Sequence, residues 1–284
     1  MFHTRSALLL GCGYVAKATA PLLAAQEFQV TGTTRSPEKA AELDAAGLHP
    51  LVNPDVRALK DAMAAASHIL VSAPPGETGD PFLELFDHRT SLPNLDWLGY
   101  LSTTGIYGDA RGEWVDEFTP PNPADERSRR RLVAEQDWCA LSDKTRIFRL
   151  AGIYGPGRSA LERVRDGSAR RIIKPGQVFS RIHVDDIATA LMASISRPDV
   201  AGPFNLADDL PAPQADVVAF AAELLRVEPP PLEDFETAEM SAMLRSFYAV
   251  SRRVSSETTR KRLGWTPTYP TYRDGLRAIY AASI

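Results

Sequence analysis

The stretch Ala7-Leu8-Leu9-Leu10-Gly11-Cys12-Gly13-Tyr14-Val15-Ala16 carries a short apolar run straight into a G-x-G-x-x-A pattern. Four apolar residues are the length of a buried parallel strand. Residues 15–25, rich in alanine and leucine, then read as a helix, and residues 28–34 as a second strand. Glycines between a strand and a helix are the context of a dinucleotide-binding fingerprint. Gly11 permits a sharp turn, and Gly13 leaves room for a pyrophosphate at the backbone. Ala16 is small enough for the helix to lie close to the sheet. Tyr14 and Val15 open the helix, whose free N–H groups attract phosphate.

The end of the second strand bears on which dinucleotide is bound. NAD-selective folds usually place Asp or Glu there for the ribose 2′-hydroxyl. This chain has Thr33-Thr34-Arg35-Ser36, with no carboxylate before Glu38. A guanidinium and a hydroxyl attract a 2′-phosphate that an acid would repel. Arg35 and Ser36 therefore point to NADP, with NAD the less favoured cofactor.

The 284 residues suffice for one large domain or two unequal ones, and 44% of them are hydrophobic. A net charge of -4 favours neither nucleic acid nor an acidic membrane. No apolar run reaches the ~20 residues of a membrane span. The first apolar run belongs to the fingerprint strand, so no signal peptide is expected. Two cysteines, Cys12 and Cys139, suit a reducing cytoplasm. Cys139 reads as a core residue. The five histidines lack metal-ligand spacing, and no metal is expected.

Strands and helices alternate through the first half, implying βαβ units and a doubly wound parallel sheet. Helices are expected at 38–46, 56–63 and 81–91, and strands at 48–52, 68–72 and 97–102. The turn Ala73-Pro74-Pro75-Gly76 follows the strand at 68–72, so Ala73 and Pro74 should face the cofactor crevice. A long helix is expected at 124–141 and a strand at 146–150. Asp185 or Asp186 is a candidate cap for a helix at 187–196. Helices are also expected at 213–227 and 272–282.

Four later stretches carry a resemblance. They are Ser102-Thr103-Thr104-Gly105-Ile106-Tyr107-Gly108, Gly152-Ile153-Tyr154-Gly155-Pro156-Gly157, Arg181-Ile182-His183-Val184-Asp185-Asp186-Ile187-Ala188 and Leu263-Gly264-Trp265-Thr266-Pro267. In this order the chain resembles the extended short-chain dehydrogenase/reductase superfamily, the NAD(P)-dependent epimerase/dehydratase branch. The resemblance implies a Rossmann domain of residues 1–151 and 181–207. It also implies a smaller α+β substrate-binding domain of residues 152–180 and 208–284. By resemblance the partner is a small polar, sugar-like substrate, and a homodimer through the helix at 124–141 is expected.

The family works with a Ser/Thr and a Tyr-x-x-x-Lys pair. Thr103 falls on the first position, but Arg127 and Arg131 stand where Tyr and Lys should be. Arginine is always protonated near neutral pH and cannot act as a general base. The chain is therefore an atypical member. Arg131 would bind cofactor ribose or phosphate, as Lys does, and Arg127 an anionic group. Thr103 would hold a substrate oxygen, with Tyr154 as a substitute proton donor. The function expected is NADP-dependent hydride transfer with a non-standard proton donor. The alternative is an inactive NADP-binding sensor or scaffold.

Overall fold

A computed structural model describes residues 5–86 and 92–283. The chain runs β1 (Ser6–Leu10), α1 (Tyr14–Ala25), β2 (Gln29–Thr34), α2 (Pro37–Ala45), β3 (His49–Val52), α3 (Val56–Ala65), β4 (His68–Val71) and β5 (Trp97–Thr103). There follow β6 (Trp114–Val115), α4 (Glu126–Leu141), β7 (Thr145–Leu150), β8 (Gly152–Tyr154), α5 (Ala160–Arg165), β9 (Arg171–Ile173) and β10 (Arg181–His183). The last third holds α6 (Val184–Ile195), β11 (Phe204–Leu206), α7 (Gln214–Leu225), β12 (Leu232–Asp234), α8 (Ala242–Phe247), β13 (Arg253–Val254), α9 (Glu257–Leu263) and α10 (Tyr272–Ala281).

Seven strands form one parallel sheet in the order β11-β7-β5-β4-β1-β2-β3. This is the doubly wound α/β arrangement. From β1 the chain winds outward to β2 and β3, then returns to β4 on the other side. The switch between β1 and β4 opens a crevice at the carboxyl edge of the sheet.

Side-chain alternation in β1 divides the core. Ala7 and Leu9 join Val15 and Ala16 of α1 and Ile187 and Leu191 of α6. Leu8 and Leu10 join Leu59 and Met63 of α3 and Ala134 and Trp138 of α4. Both faces of the sheet are thus covered, which is why the strand reads as continuously apolar. Leu8, Leu9 and Leu10 are fully buried, each contributing about 1.5–3 kcal/mol. A separate cluster joins Tyr154 of β8, Leu161 of α5, Phe220 of α7, and Tyr272 and Leu276 of α10.

Three sequence expectations are corrected. The helix expected at 81–91 is only a 3-10 turn at Leu83–Leu85, where Asp80 accepts from the Phe82 and Leu83 N–H groups; residues 87–91 lie outside the described residues. The cap of α6 is His183, whose Nδ1 accepts from the Asp185 N–H, rather than Asp185 or Asp186. Buried Asp186 instead accepts from the N–H groups of Thr268 and Tyr269, fastening the C-terminal segment to α6. Cys139 lies exposed on α4, not in the core.

Candidate functional site

The fingerprint turn is built by close approach. Gly11 has φ +83°, and a Cβ there would lie 2.9 Å from the Ala73 Cβ. Its N–H donates to Thr33 Oγ1 at 2.8 Å, and the Cys12 N–H to the Thr33 carbonyl at 3.1 Å. Thr33 of β2 therefore holds the turn in place. Gly13 is the N-cap of α1 without any side-chain cap, and a Cβ there would meet nothing nearer than 3.9 Å. The Gly13 Cα thus faces open space at the start of α1. Ala16 is fully buried against the sheet. An uncapped helix end above an open glycine fits a pyrophosphate.

Tyr14 ties this turn to the second half of the chain. Its hydroxyl donates to the Pro156 carbonyl at 2.9 Å, and the Arg158 guanidinium lies 5.7 Å above its ring. Burial pushes the Tyr14 phenol up to about 12.

At the end of β2 the Arg35 side chain is exposed, while its carbonyl accepts from Asn53 Nδ2 at 3.0 Å. Ser36 is already engaged: its hydroxyl caps α2 by accepting from the Lys39 N–H and donates to Glu38 at 2.5 Å. Glu38 thus stands beside Ser36. Of the two residues expected at a 2′-phosphate, Arg35 has its side chain free to turn towards a ligand.

Ala73 and Pro74 follow β4 at the same sheet edge as the fingerprint, with Ala73 packed on Gly11. The loop they begin is stapled to α4. Arg130 donates to the Gly76 carbonyl at 2.9 Å, and Trp138 Nε1 to Asp80 at 3.0 Å. Arg130 carries no motif of its own, and this contact comes from its place on α4.

Thr103 ends β5, two strands from β1 in the sheet. Its Oγ1 accepts from the Gly105 N–H at 3.0 Å, which leaves the hydroxyl proton free to donate. Arg127 and Arg131 sit one turn apart on α4, but their heads diverge. The exposed Arg127 places its guanidinium 5.5 Å from the Phe247 ring. Arg131 turns inward, donating to the Leu101 carbonyl and lying 5.8 Å over the Tyr100 ring.

Tyr154 is buried, and its hydroxyl makes a long 3.5 Å contact to the Thr271 carbonyl. A Cβ on Gly275 would fall 2.2 Å from that hydroxyl, so the phenol is wedged against α10. Burial, with Asp208 and Asp186 nearby, raises its pKa well above the ordinary phenol value. The expected substitute proton donor, Tyr154, thus stands in the wall of the cavity that Thr103 borders, with its hydroxyl turned towards α10.

Beneath the site runs a buried polar chain. Ser102 donates to Glu135 at 2.5 Å, and Arg149 pairs with Glu135 at 2.9 Å. Arg149 also donates to the Tyr107 hydroxyl at 3.0 Å, which in turn donates to Asn205 at 2.8 Å. This network fixes the β5 end and the turn after it.

Thr103 borders a cavity of about 690 Å³ between the sheet edge and the elements β8, α5, α7 and α10. Tyr154 and Tyr272 form part of its wall, and Phe247 and Arg252 line it from the α8–β13 segment. Among the described residues no group of three or more His, Cys, Asp or Glu side chains is placed to hold a metal ion. No helix among them is long and apolar enough to cross a membrane.

Known proteins share this fold. No family model matches the chain. A conserved protein of unknown function from Silicibacter pomeroyi DSS is 42% identical over 99% of both chains, with a TM-score of 0.89. A putative NAD-dependent epimerase/dehydratase from Methylobacillus flagellatus is 26% identical over 99% of both, with a TM-score of 0.71. A 3-diazoavenalumate denitrifying reductase from a Streptomyces species is 31% identical over 159 residues, 51% of this chain. The match spans about half, 49%, of that reductase.

Proposed function

We propose that this chain, which belongs to the extended short-chain dehydrogenase/reductase superfamily as an atypical member, is an NADP-dependent oxidoreductase acting on a small polar substrate. One observation carries the reading. The uncapped N-terminus of α1 above Gly13 and the Thr103 hydroxyl lie at the same sheet edge, and Thr103 opens into the 690 Å³ cavity. The reductase among the relatives and the NAD-dependent neighbour support redox chemistry on this scaffold. We assign the cofactor-binding part to residues 1–151 and 181–207, and the substrate-binding part to 152–180 and 208–284.

Gly11, Gly13, Tyr14 and Val15 would hold the pyrophosphate, and Arg35 the 2′-phosphate. Ala73 and Pro74 would border the crevice, and Arg131 would lie at its inner end. A bound nicotinamide would supply or take the hydride. Thr103 donates a hydrogen bond to the substrate oxygen and fixes the reacting carbon. Arg127, over Phe247 at the cavity wall, supplies positive charge but no exchangeable base. With Tyr154 held by packing, the proton passes through water at the cavity mouth.

The test is oxidation of NADPH, followed by absorbance, with a panel of carbonyl substrates on wild type and Thr103→Ala. Turnover that falls at least tenfold in Thr103→Ala supports the reading. If no substrate is turned over while NADP binds, the sensor or scaffold alternative replaces it.

A further inference from the structure

The turn Gly155-Pro156-Gly157-Arg158, which follows β8, is clamped onto the start of α1. The Tyr14 hydroxyl donates to the Pro156 carbonyl at 2.9 Å. A Cβ on Gly155 would fall 2.4 Å from that hydroxyl and 2.7 Å from Val184 Cγ1, so a glycine is needed for the approach. The Arg158 N–H donates back to the Gly155 carbonyl at 3.0 Å and closes the turn. Ser159, next in the chain, is buried and caps α5 in a capping box with Glu162. The Arg158 backbone is thus anchored on both sides, and its guanidinium lies 5.7 Å from the Tyr14 ring centroid.

That guanidinium is uncommitted. Among the described residues the Arg158 side chain makes no ion pair and no hydrogen bond. Stacking on a ring at this distance is a weak attraction and occupies none of the five N–H donors. Two acids lie near Tyr14, Glu162 and Asp185. Glu162 accepts from the Gly157 N–H at 3.1 Å, and from the Ser159 N–H and hydroxyl at 2.7 and 2.5 Å. Asp185 lies 3.6 Å from His183 Nδ1. Neither acid pairs with Arg158.

Three other arginines line the same cavity, and they face other groups. Arg181 donates to the carbonyls of Phe179 and Ala212 and to Gln214. Arg252 donates to the Gly108 carbonyl at 2.6 Å. Arg163 stands further along, on α5. Of the four, Arg158 alone stacks on a residue of the glycine turn. Tyr14 is the first residue of α1, and the first bond of that helix runs from the Lys17 N–H to the Gly13 carbonyl at 2.9 Å. The N–H groups of Tyr14 and Val15 therefore have no partner within the helix, and no side chain caps them. A guanidinium beside Tyr14 adds a full positive charge, with paired donors that suit phosphate oxygens, to the partial charge of the helix end.

We propose that Arg158 is a further cofactor-binding residue, its guanidinium received by the pyrophosphate of the dinucleotide at the start of α1. This rests on the NADP-dependent oxidoreductase reading and deepens it. The pyrophosphate is common to NADP and NAD, so Arg158 acts on both alike, whereas Arg35 acts on the 2′-phosphate alone. Binding of the cofactor then fastens the turn after β8, and the cavity wall that Arg158 forms, to the glycine turn.

The test is calorimetric binding of NADP, NAD and 2′-AMP, which carries a 2′-phosphate but no pyrophosphate, to wild type, Arg158→Gln, Arg158→Lys and Arg35→Ala. Arg158→Gln should weaken NADP and NAD by the same factor, at least fivefold, and leave 2′-AMP as in wild type. Arg158→Lys should recover part of the loss, because it keeps the charge without the fork. Arg35→Ala should give the opposite pattern, weakening NADP and 2′-AMP but not NAD. The exposed Arg158 side chain loses no partner in Arg158→Gln, so the free variant should melt with wild type. The proposal is overturned if Arg158→Gln binds both dinucleotides as wild type does, which would mark a solvated side chain. It is also overturned if NADP alone weakens, or if 2′-AMP weakens as much as the dinucleotides. Wild type that binds neither dinucleotide defeats the oxidoreductase reading itself, whereas wild type and Arg158→Gln binding alike defeat only this proposal.

Discussion

The Tyr14 hydroxyl donates to the Pro156 carbonyl at 2.9 Å, joining the first residue of α1 to the turn that follows β8. The helix end expected to receive phosphate is thereby fixed to a chain segment 142 residues away in sequence. Tyr14→Phe keeps the ring and removes this bond. It should cost about 0.5–1.5 kcal/mol and weaken NADP binding several-fold. Melting curves with and without NADP measure both effects.

Gly11 and Gly13 should respond differently to alanine. At Gly11 the positive φ and the Ala73 side chain both oppose a Cβ, so Gly11→Ala should destabilise the free protein by at least about 1–2 kcal/mol. At Gly13 a Cβ meets nothing close, so the free Gly13→Ala protein should melt near wild type. Its Cβ would project where the pyrophosphate approaches, so NADP binding should fall at least tenfold. Equal stability losses in the two variants would contradict this division.

Arg149 and Glu135 are buried together, with Ser102 and Tyr107 attached. Arg149→Met leaves the Glu135 carboxylate desolvated without its cation. The expected loss is about 3–5 kcal/mol, read by urea unfolding. Adding Glu135→Leu should recover part of it, because the orphaned charge is then gone.

Asp208 gives the fold a pH dependence of definite sign. Burial pushes its carboxyl up to about 7, with Arg181 and Arg260 opposing and Asp209 reinforcing the shift. One of its oxygens, Oδ2, has no hydrogen-bond partner among the described residues. The folded chain therefore holds a proton between the unfolded carboxyl value near 4 and the folded value. This contribution is fully present below pH ~4 and is lost as pH rises towards 7. Asp208→Asn should remove that slope and be the more stable protein at pH 8. Urea unfolding between pH 4 and 8 checks it; a wild type gaining stability over this range relative to Asp208→Asn would contradict it.

Much of the fold was legible because the sheet is buried on both faces and each strand is a compact apolar run. Leu8 to Leu10 and Ile69 to Val71 show this directly. The glycine turn was legible because its backbone needs are specific to residue type. Contacts set by tertiary packing were not. The ordinary helix-cap rule favours Asp185 or Asp186, yet His183 caps α6 and Asp186 reaches Thr268 and Tyr269. The Gly-Ile-Tyr-Gly motif carried no sign that Tyr154 would be wedged against Gly275. The neighbourhood of Ser36 was half legible. Glu38 was visible two residues on, but its bond to the Ser36 hydroxyl required α2 to form.

The most direct measurement is thermal stabilisation by NADP, NADPH, NAD and NADH, on wild type and Arg35→Ala. A ligand at 100 times its dissociation constant stabilises by about 2.7 kcal/mol. The account predicts a clear shift with NADP and NADPH, a smaller one with NAD and NADH, and loss of that difference in Arg35→Ala. If no dinucleotide shifts the wild-type transition, the turn at Gly11 and Gly13 is structural only, and the oxidoreductase reading fails with it.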